Sequence, residues 1–101
     1  MLADTGSELS WVSEDILGKI GVVPEKRNLE FCLADGQSVS REVGFALIYV
    51  AGRFTADEVV FAKEGDLQLL GARTLEGLNL SVDPANKRLV AAGPFLAAAL
   101  A

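Results

Sequence analysis

Hydrophobic and polar residues alternate along most of the chain, which is the pattern of half-buried β-strands. After an opening turn, the alternation predicts a hairpin over 29–50 and further strands around it. These further strands are expected at residues 9–12, 57–61, 80–82 and 88–90, the last two flanking the turn Asp83-Pro84-Ala85-Asn86. The pattern therefore predicts a mainly β domain.

Two short helical segments are expected within this β pattern. Ser13 is a good N-cap residue, and the two acidic residues after it suit the positive end of a helix dipole. Gly21 fits a C-terminal stop, so a helix is predicted over 14–20. A second helical turn is predicted around Thr74, Leu75 and Leu78.

The centre of the 29–50 hairpin carries the dipeptide Asp35-Gly36. A type I′ turn needs positive φ at both central residues, and Asp-Gly is among the pairs that tolerate this. The sequence therefore predicts a two-residue turn at Asp35 and Gly36, with Val39 and the following residues forming the return strand.

Length and composition indicate one folded domain over residues 1–101. Half of the residues are hydrophobic and 23% are charged, which is a globular composition. The net charge is -5, and the nine basic residues are scattered along the chain. Because phosphate recognition usually needs a basic face, we expect no nucleic-acid partner.

The chain has no histidine and one cysteine, Cys32. The missing histidine excludes Ser-His and Cys-His catalysis and most zinc sites, so we expect no metal and no cofactor. A single cysteine cannot form an intrachain disulfide, which suits a reducing, cytoplasmic location. Cys32 is interpreted as a small buried hydrophobe.

No apolar run is long enough for a membrane span, and no signal peptide is visible.

The opening residues Asp4-Thr5-Gly6-Ser7 resemble the active-site turn of the retropepsin-like aspartic proteases. Two later segments strengthen the resemblance. Ala34-Asp35-Gly36 is similar to the tip of the flap, a hairpin that closes over bound peptide, as found in bacterial members. Leu69-Leu70-Gly71 resembles the apolar-Gly motif that packs against the active-site turn. The order of the three segments matches the family over nearly the whole chain.

The resemblance implies a small closed single-lobe acid-protease barrel with one or two short helices. It implies that Asp4 is the catalytic residue and that Thr5 holds two active-site turns together. Gly6 would let backbone approach closely, and Ser7 would hydrogen-bond near the Asp4 carboxylate. The flap residues Ala34, Asp35 and Gly36 would contact the substrate backbone.

Peptide hydrolysis needs a water made nucleophilic and an acid for the leaving amine. Two carboxylates that share one proton supply both, since two like charges a few ångströms apart do not both ionise. The chain has one Asp-Thr-Gly and is too short for two lobes, so the second carboxylate would come from Asp4 of a second copy in a homodimer. The expected function is an aspartic endopeptidase acting on peptides or proteins below neutral pH.

Family members normally have one or two strands before the Asp-Thr-Gly turn, whereas here only Met1, Leu2 and Ala3 precede it. We therefore expect a truncated N-terminal strand and an unpaired sheet edge. Two explanations stay open: a natural chain that starts further upstream, or a catalytically inactive member that binds peptide or a partner without cutting. A third interpretation treats the three motifs as ordinary turns and core, and predicts that Asp4 is freely replaced.

Three side chains near these motifs are given structural roles. Arg73 follows the motif glycine at a distance of two residues and is interpreted as a solvated helix residue, with a dimer-stabilising ion pair as the alternative. Trp11 and Tyr49 could line a substrate groove, but we predict that both pack in the core.

Overall fold

The computed structural model describes residues 2–3, 6–83 and 88–92, which form eight strands and two helices. The strands are β1 (Leu2–Ala3), β2 (Ser10–Ser13), β3 (Pro24–Cys32), β4 (Ser38–Val50), β5 (Arg53–Ala62), β6 (Leu69–Leu70), β7 (Leu80–Asp83) and β8 (Arg88–Ala91). The helices are α1 (Glu14–Lys19) and α2 (Ala72–Leu78). The prediction of a mainly β domain with two short helices is confirmed. Within these residues, neither helix is long and apolar enough to cross a membrane.

Six strands form one sheet in the order β1-β6-β2-β5-β4-β3, and β7 pairs with β8 in a separate hairpin. The prediction of a closed barrel is not confirmed, because the six-stranded sheet is open across the described residues. Closure needs the two edge strands to pair with each other or with a third strand. The edge strand β1 has only two residues and pairs with β6, while β3 is hydrogen-bonded to β4 alone.

The β3–β4 hairpin lies where the sequence predicts it, but its turn is of another type. The Gly36 N–H donates to the Leu33 carbonyl at 2.9 Å, and the Leu33 N–H donates to the Gln37 carbonyl at 2.7 Å. Gly36 has φ +88, whereas Asp35 is not among the positive-φ residues. A three-residue loop that ends in a left-handed glycine therefore replaces the predicted two-residue type I′ turn.

Helix α1 follows its predicted signals closely. Ser13 is the N-cap residue, although its side chain makes no capping hydrogen bond. Leu17 is fully buried, at 1% exposure, and Gly21 ends the helix with φ +83. Helix α2 begins after Gly71 and ends at Asn79, which takes the left-handed conformation common at helix ends.

The six-stranded sheet separates two sets of buried side chains. Trp11, Val43, Val60 and Leu69 are directly opposite one another on neighbouring strands, so they share one face, called here the groove face. Alternate residues point to the other face, where α1 and α2 pack through two clusters. These clusters are built on Leu17, Val59 and Phe61 and on Leu70, Leu75, Leu78 and Leu80.

Candidate active site

The active-site turn predicted from the sequence is described from Gly6 onward. Asp4 and Thr5, the predicted catalytic residue and its neighbour, lie outside the described residues. Ala3, on one side of them, pairs with Leu70 in parallel. Gly6 and Ser7, on the other side, line a groove. The Ser7 hydroxyl donates to the Leu9 carbonyl at 2.8 Å.

The segment Leu69–Gly71 lies directly against the residues that follow this turn. The Ala72 N–H donates to the Ser7 carbonyl at 2.7 Å, and the Arg73 N–H donates to the Glu8 carbonyl at 3.0 Å. A Cβ at Gly71 would overlap the Leu9 carbonyl group and stand 2.7 Å from the Glu8 oxygen. The glycine is therefore required by close backbone approach, since its φ of -86 suits any residue.

A buried hydrogen-bonded chain continues from Gly71 into the sheet. The Gly71 N–H donates to Ser10 Oγ at 2.9 Å, and Ser10 Oγ lies 2.6 Å from Thr74 Oγ1. The Thr74 hydroxyl donates to Asp57 Oδ2 at 3.3 Å. This chain connects β2, α2 and β5 behind the turn, so it fixes the position of α2 relative to the sheet.

The groove has a volume of about 990 Å³ and lies between the turn residues and the β3–β4 hairpin. Gly6 and Ser7 form part of one wall, and Ala34 and Asp35 at the hairpin tip form part of the other. Gly36, the third predicted flap residue, gives the tip its left-handed turn and is not among the lining residues. The fold thus brings the two predicted segments to one cavity.

The floor of the groove is apolar. Trp11, Phe31 and Leu69 line it, and the Trp11 and Phe31 rings pack edge to face with centroids 5.2 Å apart. Trp11 is 8% exposed, so it is both a core residue and a lining residue. The prediction of core packing is wrong for Tyr49, which is 71% exposed. Pairing of β3 with β4 stops before that part of β4, and the Tyr49 ring packs against Phe54, which is itself 66% exposed.

One end of the groove carries an ion-pair cluster that the sequence did not indicate. Lys26 Nζ lies 2.9 Å from Glu58 Oε2, and the Arg73 guanidinium lies 3.6 Å from both Glu58 and Asp57. The hydrogen bond from Lys26, followed by the charges of Lys26 and Arg73, holds the pKa of Glu58 below its usual value against the opposing effect of burial. Arg73 is a half-exposed residue of α2, as predicted, and it also forms these two ion pairs within the chain.

A second acid of the groove, Asp66, is held ionised by Arg41. The guanidinium donates through Nε and Nη2 to the two carboxylate oxygens, at 2.7 and 2.8 Å. These hydrogen bonds from Arg41, together with one from the Lys63 N–H, lower the pKa of Asp66 although partial burial of the carboxylate acts to raise it. Glu58 and Asp66 are thus stable anions, and neither is suited to donate a proton to a leaving group near neutral pH.

Cys32 also lines the groove and is exposed, which corrects the prediction of a buried cysteine. It lies on the edge strand β3, whose alternate side chains face solvent.

Comparison of the chain with protein-family models, with curated proteins and with solved structures finds no match.

Proposed function

We propose that this chain is a retropepsin-like aspartic endopeptidase that works as a homodimer. The observation that carries the proposal is the position of Gly6 and Ser7, which directly follow Asp4-Thr5 in sequence. They line a groove whose opposite wall is the hairpin tip at Ala34 and Asp35. Described residues of all three motifs that carry the resemblance, Gly6, Ser7, Ala34, Asp35 and Leu69, thus line one cavity, which supports the proposal. The open sheet is assigned, within this proposal, to the single-lobe acid-protease fold.

In the proposed mechanism, an extended peptide lies in the groove and two Asp4 carboxylates, one from each subunit, approach its scissile bond. One carboxylate removes a proton from water, which attacks the peptide carbonyl carbon. The other, protonated, gives its proton to the leaving nitrogen as the C–N bond breaks. Glu58 and Asp66 are held ionised by their basic partners, and the proposal assigns the proton transfers to Asp4 from the Asp-Thr-Gly resemblance.

The groove itself supports a second candidate function, a peptide-binding module without hydrolysis. Its volume, apolar floor and hairpin wall are all provided by described residues of a single chain, so binding needs no second subunit. Hydrolysis by the mechanism above does need one, because the chain has a single Asp-Thr-Gly. The two functions therefore differ in their dependence on dimerisation.

The test combines sedimentation equilibrium with cleavage of denatured casein at mildly acid pH. We expect a dimer, cleavage by the native chain, and no cleavage by Asp4→Asn with its fold unchanged by circular dichroism. Asp15→Asn, the same substitution at an exposed site in α1, should cleave normally. Undiminished cleavage by Asp4→Asn would overturn the protease proposal. Casein-peptide binding by a strict monomer that never cuts would support the binding module.

A further inference from the structure

The ion-pair cluster at the end of the groove presents its cations to solvent and keeps its acids beneath them. The side chains of Lys26 and Arg73 are 51% and 45% exposed, whereas those of Glu58 and Asp57 are 15% and 9% exposed. Lys26, Glu58 and Arg73 line the groove. A ligand that enters this end of the groove therefore meets an ammonium and a guanidinium group first.

Most hydrogen-bond donors of these two cations are uncommitted within the described part of the chain. An ammonium group has three donors and a guanidinium group has five. Lys26 Nζ makes one hydrogen bond, to Glu58. The Arg73 guanidinium approaches Glu58 and Asp57 only to 3.6 Å, which is longer than a direct hydrogen bond. The acids thus hold the two cations in place and leave donors for an anionic group of a ligand.

A bulge in β3 brings Lys26 into the groove. Lys26 pairs with Val43, and Leu29 pairs with Arg41, so three residue steps on β3 match two on β4. Without the extra residue, Arg27 would stand opposite Val43 on the groove face. Instead, Arg27 is not among the lining residues, and its side chain is 68% exposed. Bulges commonly re-aim a side chain beside a binding site, and this one selects which cation enters the groove.

The cluster lies at a defined distance from the apolar floor. Trp11 pairs with Val60, and Glu58 lies two residues before Val60 on the same face of β5, about 7 Å along the strand. Side chains two residues apart in an extended peptide are separated by the same distance. An apolar ligand side chain placed over Trp11 therefore brings a side chain two positions away to the cluster.

We propose that the groove selects peptides in which an Asp or Glu lies two residues from a large apolar side chain, with the carboxylate bound by Lys26 and Arg73. This selectivity deepens the proposed function and rests on it only in that an extended peptide occupies the groove. Hydrogen bonds between a cation and a carboxylate are roughly twice as strong as those between neutral groups, which makes such a contact suited to selecting a ligand.

The other acids of the groove restrict where a ligand carboxylate can bind. Glu8, Glu30 and Asp35 also line the groove and are exposed. Asp66 lines it as well, but its charge is balanced by the two hydrogen bonds from Arg41. Like charges repel at short range, so the first three acids disfavour a ligand carboxylate near them. The ion-pair cluster remains as the place where an acidic side chain is accepted.

Peptide binding to Asp4→Asn, followed by the fluorescence of the single tryptophan, tests this selectivity. The probe is acetyl-Gly-Glu-Gly-Phe-Gly-Glu-Gly-amide, in which Glu lies two residues from Phe in both chain directions. Replacing both Glu by Gln should weaken binding about tenfold, and replacing both by Lys should weaken it further.

Variants of β3 assign the preference to one side chain. Lys26→Gln should reduce the preference for the Glu peptide to about twofold, because its main donor is lost, whereas Lys26→Arg should keep it. Arg27→Gln makes the same change of charge at the next residue, outside the groove, and should keep the full preference.

Three results would overturn the inference: equal binding of the Glu and Gln peptides, an undiminished preference in Lys26→Gln, or no saturable binding of the Glu peptide. Cleavage is not part of this measurement. A preference that depends on Lys26, in a chain that never cuts casein, would remove the protease proposal alone. Cleavage of casein without the preference would remove this inference alone.

Discussion

Ser10 and Thr74 are 64 residues apart in sequence, yet their hydroxyl oxygens lie 2.6 Å apart and both side chains are fully buried. Ser10 accepts from Gly71, and Thr74 donates to Asp57. Because each hydroxyl has one proton, Ser10 must donate to Thr74. Every hydroxyl in this hydrogen-bonded network then has a partner for its proton, which is what makes such a network stabilising in the interior.

Replacing Ser10 by alanine should destabilise the fold. The change leaves the Gly71 N–H without its acceptor and Thr74 without its donor in a region that water does not reach. We expect a loss of about 1–3 kcal/mol in the free energy of unfolding, measured by urea denaturation. Ser40→Ala, the same change at an exposed site in β4, should cost less than about 0.5 kcal/mol. Equal stability of the two variants would show that the buried chain contributes nothing.

Gly71→Ala should also destabilise, by a steric mechanism. The new Cβ would overlap the Leu9 carbonyl, which is backbone and moves only with the segment around residues 7–9. Overpacking of this kind costs about 1–3 kcal/mol, and thermal unfolding measures it. Gly18→Ala inside α1, where a Cβ meets nothing within 4 Å, should instead be neutral or stabilising. If Gly71→Ala were as stable as the native chain, the turn would not be held against α2 as described.

Local sequence signals predicted where elements lie better than which of their faces is buried. Asp35-Gly36 marks the hairpin because Gly36 adopts positive φ. The type of turn depends on whether Asp35 also adopts positive φ, and it does not. Alternation in β3 and β4 likewise identifies strands. The alternation does not say how far two strands pair. Pairing of β3 with β4 stops at Gly44, before Tyr49, and that ring is left exposed.

The same limit applies to the candidate site. Matching motifs at residues 4–7, 34–36 and 69–71 predicted three segments, and described residues of each line one groove. The pair between Arg41 and Asp66 joins residues 25 apart with no local pattern, so it becomes visible only when the β4 strand and the turn after β5 are placed side by side. Charged side chains pair according to tertiary neighbours, which a single sequence does not specify.

The Arg41–Asp66 pair should make stability depend on pH. The pKa of Asp66 is lowered in the folded state from its ordinary value of 3.8, so its ionised form stabilises the fold above that pH. The contribution is lost as the pH falls through the folded-state pKa. Asp66→Asn should therefore cost about 1–2 kcal/mol at neutral pH, and the difference from the native chain should shrink towards zero in stronger acid.

Urea unfolding at a series of pH values measures this dependence. Glu64→Gln, in the same turn but exposed, provides a matched control whose difference from the native chain should stay small throughout. A stability gap for Asp66→Asn that is the same at neutral and strongly acid pH would mean that the ion pair is not its cause.

Trp11 should report directly on occupation of the groove. It is the single tryptophan of the chain and lines the groove floor with Phe31, so bound peptide should change its fluorescence in a saturable way. The titration uses Asp4→Asn, which keeps the peptides of a casein digest uncut.

Adding Phe31→Ala removes apolar contact and should weaken binding by roughly tenfold, about 1.4 kcal/mol. Phe45→Ala removes an equally large ring from the same sheet face, outside the groove, and should leave the affinity unchanged. Equal weakening by both substitutions would place the binding surface elsewhere on the groove face, because only a ligand in the groove distinguishes Phe31 from Phe45.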